Sequence, residues 1–353
     1  MPDAIGCIKL PVNRLHLELT NICNFSCEFC PDSKMTRKRG MMPIENAKAI
    51  IDQVAEKDIA KSIFFHVMGE PTLYPHLVDV AAHANRKGIA TCLTTNGSRL
   101  DTRLLSELVD AGVDRIIISL QTPHEETFSL RGTRGLTFGE YSENILNIAR
   151  QFMTEDGKSS LTISFLSSPL RRLIIPIYPE VSIADTSKDL KKHLQAWADR
   201  IIKGTATDGR RSDIAKQIRR ICSFRENVVY LSDRLSFRTR IMGDWSIHFD
   251  RTNVEASFGY CPAIQDNFGI LWNGDYTFCC TDFDGATSTG NVADMPIADY
   301  LRSDEVQRTV KGFSRFRVLH KHCRQCLGDK NLLNAIVKQL GSICYFKFLR
   351  KGV

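Results

Sequence analysis

The first half of the chain alternates short apolar runs with longer amphipathic stretches. The runs have the length and alternation of strands, and the stretches have the three-to-four-residue spacing of helices. The predicted strands cover 14–20, 61–68, 89–95, 114–120 and 160–165, and the predicted helices cover 44–56, 76–86, 101–111 and 138–152. This strand-then-helix order predicts parallel strands joined by right-handed crossovers, and therefore an α/β fold.

The pattern predicts three regions. Residues 1–250 are expected to form a partial (β/α)6 TIM-like barrel, which would place its chemistry at the C-terminal ends of its strands. Within it the rhythm weakens over 167–242, which is either a lid or an elaborated end of the barrel, with helices at 189–202 and 211–221. We expect the last barrel strand at 245–249, a small iron–sulfur domain over 251–330 and a helical tail over 331–353.

Composition indicates the role of the cysteines, the expected cellular location and the expected partners. A chain of 353 residues buries enough surface to fold without disulfides, so its 12 cysteines need another explanation. The chain starts without a secretory signal and has no apolar run long enough for a membrane span, which predicts a cytoplasmic protein with reduced thiols. Clustered cysteines then indicate metal binding. The net charge of +7 is modest, and without a legible nucleic-acid module we expect no nucleic-acid partner.

Three cysteines lie close together directly after the first predicted strand. Cys23, Cys27 and Cys30 have the spacing C-x3-C-x2-C. Three thiolates on one loop hold three irons of a cubane [4Fe–4S] cluster and leave the fourth iron open for another ligand. The alternative is a structural zinc site, with His16 or a remote cysteine as the fourth ligand.

A second set of cysteines lies in the last quarter of the chain. Cys261, Cys279, Cys323 and Cys326 suffice to ligate another [4Fe–4S] cluster completely, although their spacing also allows a structural zinc ion. An Asn-Gly turn ending at Gly274 predicts a hairpin that brings the first two together. Cys280 adjoins Cys279 and is the alternative ligand.

The first loop resembles the radical S-adenosylmethionine (SAM) superfamily. The likeness includes Phe29 before the third cysteine and the lead-in Glu18-Leu19-Thr20-Asn21. It implies that SAM binds the open iron and is cleaved reductively to methionine and a 5′-deoxyadenosyl radical. The second cysteine set resembles the SPASM/twitch extension of that superfamily, in a short form with a single auxiliary cluster.

The resemblance also implies residues that bind SAM at the strand ends. Gly69 and Glu70 would hold its amino group, with Met68 standing where relatives have a glycine. Polar residues at the next two strand ends would bind its ribose and carboxylate, and an arginine would lie near the carboxylate or the substrate. These predicted cofactor-binding residues are Phe29, Gly69, Glu70, Thr94, Asn96, Ser119, Gln121 and Arg131. The alternative for each polar residue is that it caps a helix or shapes a turn, and the alternative for Arg131 is that it lies in a solvated basic turn.

The resemblance predicts an oxidoreductase-like enzyme that abstracts hydrogen from a small polar substrate, such as a sugar or aminocyclitol. The auxiliary cluster would take the second electron, and flavodoxin or ferredoxin would supply the first. A peptide-modifying maturase is an alternative, disfavoured because only about a dozen residues precede the first strand. The other alternative is a non-catalytic iron–sulfur or zinc protein. No catalytic base can be named from sequence.

The tail combines apolar residues at helical spacing with four basic residues. The simpler interpretation is a helix packed back on the barrel. The alternative is a segment that contacts a membrane surface.

Overall fold

The computed structural model describes residues 4–154, 157–169, 182–242 and 253–349. Its strands are β1 (Ala4–Ile5), β2 (Ile8–Lys9), β3 (Arg14–Leu17), β4 (Ser62–Phe64), β5 (Ala90–Thr95), β6 (Arg115–Gln121), β7 (Ser160–Ser167), β8 (Asn227–Tyr230), β9 (Leu235–Ile241), β10 (Asn267–Ile270) and β11 (Tyr276–Thr277). Its α-helices are α1 (Ile44–Glu56), α2 (Leu77–Arg86), α3 (Thr102–Asp110), α4 (Glu125–Phe128), α5 (Phe138–Thr154), α6 (Ser187–Ile202), α7 (Arg211–Arg219), α8 (Ile297–Arg302), α9 (Asp304–Ser314), α10 (Lys321–Cys326) and α11 (Leu332–Cys344).

Nine of these strands form one open sheet in the order β11-β10-β3-β4-β5-β6-β7-β9-β8. The strands from β10 to β9 in this order run parallel, and β11 and β8 pair antiparallel at the two edges. Consecutive parallel strands joined by helices give a partial barrel, so the predicted α/β fold class is confirmed.

The helices pack on the sheet through apolar faces, which the spacing of apolar residues in the sequence predicts. In α1 the buried residues are Ala47, Ile50, Ile51 and Val54, at the spacing of one helical face. The predicted cap of α3 is also present, because the side chain of Asp101 accepts a hydrogen bond from the main-chain N–H of Leu104 at 2.8 Å.

Strand β6 shows how the sheet separates core from barrel interior. Ile116, Ile118 and Leu120 are buried, whereas Ser119 and Gln121 on the opposite face are half-buried. The register with β7 shifts between Ile118 and Gln121, and Gln121 has a positive φ of 58°. This bulge redirects the strand end, where the predicted site residues lie.

Two predicted strands differ from the structure. Most residues of the run 61–68 are apolar, yet only Ser62–Phe64 joins the sheet. The residues that follow leave the ladder, and Val67 and Met68 are buried against Leu271 and Phe283. The predicted last strand, 245–249, lies outside the described residues. Strand Leu235–Ile241, which the sequence reading missed, pairs parallel with β7, so the end of the 167–242 region belongs to the sheet.

The predicted hairpin in the C-terminal region is present. Ile270 pairs with Tyr276, and Gly274 in the turn has a φ of 91°, a conformation that glycine adopts without strain. Strand β10 also pairs in parallel with β3, the strand that leads to the first cysteine loop. The hairpin therefore extends the barrel sheet beside that loop.

Helix α11 packs on the C-terminal region, not on the barrel as we expected. The side-chain oxygen of Gln339 accepts hydrogen bonds from the N–H groups of Ser257 and Phe258, both at 3.2 Å. The Ser342 hydroxyl accepts one from the N–H of Tyr260 at 3.0 Å. Among the described residues, no helix has the length and hydrophobicity needed to span a bilayer.

Candidate functional site

The three cysteines of the first loop lie together after β3. Burial raises the pKa of the Cys23 thiol to about 11 and that of Cys30 to about 12, and it also raises the pKa of Cys27. The three cysteines lie close together on the loop: the N–H of Cys30 donates to the carbonyl of Cys27 at 3.0 Å, and the charge of Cys27 contributes to the raised pKa values of the other two. Such thiols keep their protons at neutral pH until a metal replaces them. This donor set fits a cluster held by three cysteines.

The segment after β6 fixes the main chain of this loop. The N–H of Ser26 donates to the carbonyl of Arg131 at 3.1 Å, and the N–H of Glu28 donates to that of Leu130 at 2.9 Å. A Cβ on Gly132 would lie 2.5 Å from the Ser26 carbonyl oxygen, so the two backbones are in direct contact. Contacts with residues 130–132 therefore fix the backbone conformation of the cysteine loop.

Arg131 is a buried cation between β6 and the loop. Its Nη1 donates to the carbonyls of Ser119 and Leu120, both at 2.7 Å, and to the Gln121 Oε1 at 3.2 Å. Burial dominates the raised pKa of Cys27, but the guanidinium opposes it and favours the thiolate. Arg131 is thus no solvated turn residue, and its contact with the SAM carboxylate stays a prediction.

Gly69 lies against the lead-in to the cysteines. Its φ is 79°, and a Cβ there would lie 2.4 Å from the Thr20 carbonyl oxygen and 2.8 Å from the Cα of Asn21. The N–H of Glu70 donates to the carbonyl of Ile22 at 2.9 Å. The Gly69-Glu70 pair therefore lies beside the cysteine loop, and only glycine fits the first position.

The Glu70 carboxylate is buried and already bonded to protein. Its Oε1 accepts from the Thr72 N–H at 3.1 Å, the Thr72 hydroxyl at 2.7 Å and the Thr95 hydroxyl at 2.6 Å, and its Oε2 accepts from the Asn96 N–H at 2.5 Å. Burial still raises its pKa. Glu70 thus joins the ends of two strands, and a direct bond to the SAM amino group remains a prediction.

Glu70→Gln is expected to lower the free energy of unfolding by about 2 kcal/mol, because an amide NH2 would face donors where a carboxylate oxygen accepts them. Urea unfolding measures this, with the exposed Glu125→Gln as the control. Equal unfolding midpoints for the two variants would contradict the stabilising hydrogen bonds that we assign to the Glu70 carboxylate.

Asn96 reaches back to the cysteine loop. Its Nδ2 donates to the Asn24 Oδ1 at 2.9 Å and lies 4.0 Å from the Cys23 sulfur. The Asn24 Nδ2 in turn donates to the Ser98 hydroxyl at 2.8 Å. Sequence reasoning missed Asn24, although its position directly after Cys23 was a signal.

The other residues predicted to bind SAM are Thr94, Ser119, Gln121 and Phe29. Thr94, Ser119 and Gln121 are half-buried at the ends of β5 and β6, and Thr94 pairs in register with Ile117, which precedes Ser119 on its face. Phe29 packs with Leu166 and Ile183. Their individual contacts with SAM stay predictions.

The second set of cysteines also comes together. Burial raises the pKa of Cys279 to about 11 and that of Cys326 to about 12, and raises those of Cys261 and Cys323 further. The charge of Cys279 contributes to the shift of each of the other three. Cys323 and Cys326 lie three residues apart on α10 and share its face. The four thiols fit one fully ligated cluster.

Cys280 has different neighbours from Cys279. Burial raises its pKa, while the charges of Arg14 and Arg240 on barrel strands lower it. The charge of Cys279 contributes to the raised pKa values of Cys261, Cys323 and Cys326, whereas among these three Cys280 contributes only to that of Cys261. The arrangement favours Cys279 as the ligand.

His16, the other candidate zinc ligand, is held inside the barrel. Its Nδ1 lies 3.3 Å from the His66 carbonyl oxygen, and its ring centroid is 5.4 Å from that of Phe64. Burial lowers the pKa of His16 to about 4. Among the described residues, no group of three or more His, Cys, Asp or Glu side chains is placed to hold a single metal ion.

A buried ion pair connects the first loop to the C-terminal hairpin. Glu18 accepts from the Arg37 Nη1 at 2.6 Å, from the Met68 N–H at 3.0 Å and from the Trp272 N–H at 3.2 Å. Arg37 also donates through Nε to the Phe283 carbonyl at 2.6 Å. Glu18 lies in the lead-in to the cysteines. It therefore fixes the cysteine loop both to the segment that follows β4 and to the region of the second cysteine set.

Asp284 extends this connection. Its carboxylate accepts from the Thr36 N–H at 2.7 Å, from the Thr36 hydroxyl at 2.6 Å and from the Arg37 N–H at 3.2 Å. A Cβ on Gly40 would lie 2.4 Å from the Trp272 ring. The segment 36–40 is thus packed tightly against the region of the second cysteine set.

Each of the two cysteine sets lies in a region that matches a known family. The model of the radical SAM superfamily matches residues 17–165, and that of the SPASM iron–sulfur cluster-binding domain matches residues 261–327. The chain contains a radical SAM domain followed by a SPASM domain. A radical SAM domain binds a [4Fe–4S] cluster and SAM, and a SPASM domain binds auxiliary iron–sulfur clusters, so the expected cofactors are confirmed.

Curated relatives match part of the radical SAM chain. The cofactor-modifying protein for tungsten-containing aldehyde ferredoxin oxidoreductase from Pyrococcus furiosus is 33% identical over 106 residues, which is 30% of each chain. The AdoMet-dependent heme synthase from Methanosarcina barkeri is 32% identical over 120 residues, 33% of this chain and 34% of that protein. The chain thus spans about a third of the length of these enzymes.

Solved structures share the fold. SuiB from Streptococcus suis, bound to S-adenosylmethionine, aligns with a TM-score of 0.54 at 16% identity over 87% of this chain and 69% of its own. Native anSMEcpe with bound AdoMet aligns with a TM-score of 0.53 at 16% identity over 95% and 96% of the two chains. These likenesses support the partial barrel.

Proposed function

We propose that this chain cleaves SAM reductively at a [4Fe–4S] cluster held by Cys23, Cys27 and Cys30. The observation that carries the proposal is the set of three neighbouring thiols on one loop, whose backbone is fixed by residues 130–132 and by Gly69. Three ligands leave one iron of a cubane free for SAM. Formation of 5′-deoxyadenosine and methionine by anaerobically reconstituted, dithionite-reduced protein tests it.

The bound cluster would supply one electron to the SAM sulfonium and so release a 5′-deoxyadenosyl radical. The chain itself holds the site in place. Arg131 and Asn96 bring the ends of β6 and β5 to the loop, and Glu70 fixes the strand exit beside it. We propose that Thr94, Ser119 and Gln121 bond SAM from the half-buried interior face.

We propose that the radical abstracts hydrogen from a small polar substrate, such as a sugar or an aminocyclitol. The interior face is polar, with Thr162 and Ser236 hydroxyls 3.2 Å apart across β7 and β9. Hydroxyls and amines of a substrate would find hydrogen-bond partners there. A substrate deuterated at the reacting carbon should transfer deuterium to 5′-deoxyadenosine. Transfer from a peptide instead would favour a maturase.

The second cysteine set would hold an auxiliary cluster with four protein ligands, which leaves no iron open to substrate. We propose that it accepts the electron of the substrate radical while a proton leaves to a base, so that an alcohol becomes a ketone and SAM is the oxidant. The first electron would come from a flavodoxin or ferredoxin. Cys30 packs beside Leu271 and Phe283, which connects the two cysteine regions.

Cys279→Ala is expected to lower the iron content from about eight to about four atoms per chain, because one auxiliary ligand is lost. Cys280→Ala is the matched control, since it deletes the adjacent thiol, whose pKa the charges of Arg14 and Arg240 lower. It should keep about eight irons. Iron and sulfide analysis with absorption spectra measures both. Loss of iron in Cys280→Ala alone would reverse the ligand assignment.

A further inference from the structure

Helix α11 exposes an apolar face to solvent. Leu333, Val337 and Leu340 recur at i, i+4 and i+7 and are 71%, 62% and 51% exposed. The turn after the helix, Tyr345–Leu349, adds Phe348 and Leu349 at 78% and 70% exposed. Single exposed apolar residues are ordinary, but a contiguous group on one element indicates a surface that another molecule covers.

The opposite face of the same helix already has its partner. Ala335, Gln339 and Ser342 are buried, and the last two bond the main chain of residues 257–260. Ile343 and Phe346 pack beside Tyr260. The helix is therefore anchored on the C-terminal region while its apolar face points outward.

The segment of the chain that contains α11 is rich in basic residues. Residues 308–353 contain 11 Lys and Arg and one acidic residue, Asp329, a net charge of +10. The whole chain has 47 basic and 40 acidic residues, so residues 1–307 hold 36 basic and 39 acidic ones, a net charge of −3. The positive charge of the protein is thus concentrated on the segment that carries the apolar face.

We propose that the apolar face of α11, on a segment with a high positive charge, docks on the surface of an anionic lipid bilayer. An amphipathic helix lies in the interface with its apolar side chains among the acyl chains, and flanking Lys and Arg attract anionic headgroups. The Lys347 amine lies 4.0 Å from the Tyr260 ring centroid, next to the exposed aromatic and aliphatic residues, as such an arrangement requires.

A second copy of the chain fits this surface poorly. A two-fold contact through α11 would bring two segments of net charge +10 together, and like charges oppose each other across an interface. An anionic bilayer offers both the apolar interior and the opposite charge, and is therefore the occupant that we choose.

The test is co-sedimentation of full-length protein with vesicles. Vesicles that contain phosphatidylglycerol should bind it at least about tenfold more tightly than vesicles of phosphatidylcholine alone, and high salt should weaken the binding. Equal binding to both vesicle types, or no binding to either, would overturn the proposal.

Two neighbouring substitutions separate the apolar face from charge alone. Leu340→Glu places a carboxylate on the face and should weaken binding at least about thirtyfold. Gly341→Glu adds the same charge to the next residue, at the edge of the face and about 100° around the helix from Leu340, where a side chain enters open space, and should cost at most about fivefold. Leu340→Glu should unfold at the wild-type midpoint, and Gly341→Glu at or above it, because glycine is unfavourable inside a helix.

Equal losses in the two variants would overturn the proposal. So would light scattering that shows a wild-type dimer, dissociated by Leu340→Glu, together with absent vesicle binding, because a second copy would then cover the face. Retention by an acidic electron-transfer protein that Leu340→Glu abolishes, without vesicle binding, would equally contradict it.

Discussion

Replacing Cys23, Cys27 or Cys30 with alanine is expected to abolish 5′-deoxyadenosine formation. In the proposed site each thiol would cap one iron, and a loop with two thiols would not hold a cubane that offers an open iron in a defined place. Since loss of even an outer-shell partner costs 10- to 100-fold at metal sites, we expect a fall of more than about 100-fold for each ligand. The measurement is 5′-deoxyadenosine per chain under dithionite, by mass spectrometry.

Two controls make this result specific. Cys7→Ala removes an exposed cysteine outside both sets and should leave the rate unchanged. Cys323→Ala removes an auxiliary ligand and should keep SAM cleavage while it blocks product formation. Retained cleavage in any variant of the first loop would contradict the assignment of its cysteines.

Gly69→Ala is expected to lower the free energy of unfolding by about 3 kcal/mol and to deplete the first cluster. The added Cβ would meet the Thr20 carbonyl oxygen at 2.4 Å in a backbone with a φ of 79°. Relief requires the lead-in to the cysteines to move away from the strand exit. Urea unfolding and iron analysis measure the two effects.

Gly135→Ala is a control matched in backbone conformation. Its φ is also 79°, but a Cβ there has nothing within 4 Å. It should cost only the left-handed strain, about 1 kcal/mol, and keep full iron content. Equal losses in the two variants would show that strain, and not contact with the cysteine loop, explains the requirement for glycine.

Local patterns predicted the helices well. The boundaries of Ile44–Glu56 follow from its apolar spacing, and α3 begins after the Asp101 cap that its sequence indicates. Both features depend on residues close in sequence, which a single chain displays directly. The spacing of Cys23, Cys27 and Cys30 is likewise local, whereas the second cysteine set extends from Cys261 to Cys326 and was recognised through its resemblance to a known domain.

Strand ends and pairings were harder to predict. Apolar character reports burial, and residues after Phe64 stay buried without joining the ladder. The pairing of β10 with β3 joins residues some 250 positions apart, and no local pattern encodes it. Strand β9 alternates from Leu235 to Ile241 and was readable, but the preceding irregular region obscured it.

The sequence spacing of the motifs does not reveal the hydrogen bonds that their polar residues make in the fold. The sequence marked Glu18 as part of a motif, but its buried pair with Arg37 and its bond to Trp272 depend on the fold. Glu70 was expected at SAM, and the structure shows four hydrogen bonds from protein donors. Polar residues in such motifs therefore also hold the loop that carries the metal.

The most direct test of the open iron is electron paramagnetic resonance of the Cys279→Ala protein, in which the first loop holds the remaining cluster. After anaerobic reconstitution and reduction, the account predicts a [4Fe–4S]⁺ signal whose g values shift when SAM is added, because SAM occupies the vacant coordination position. Zinc in place of iron at this loop, or a signal that SAM leaves unchanged, would contradict it.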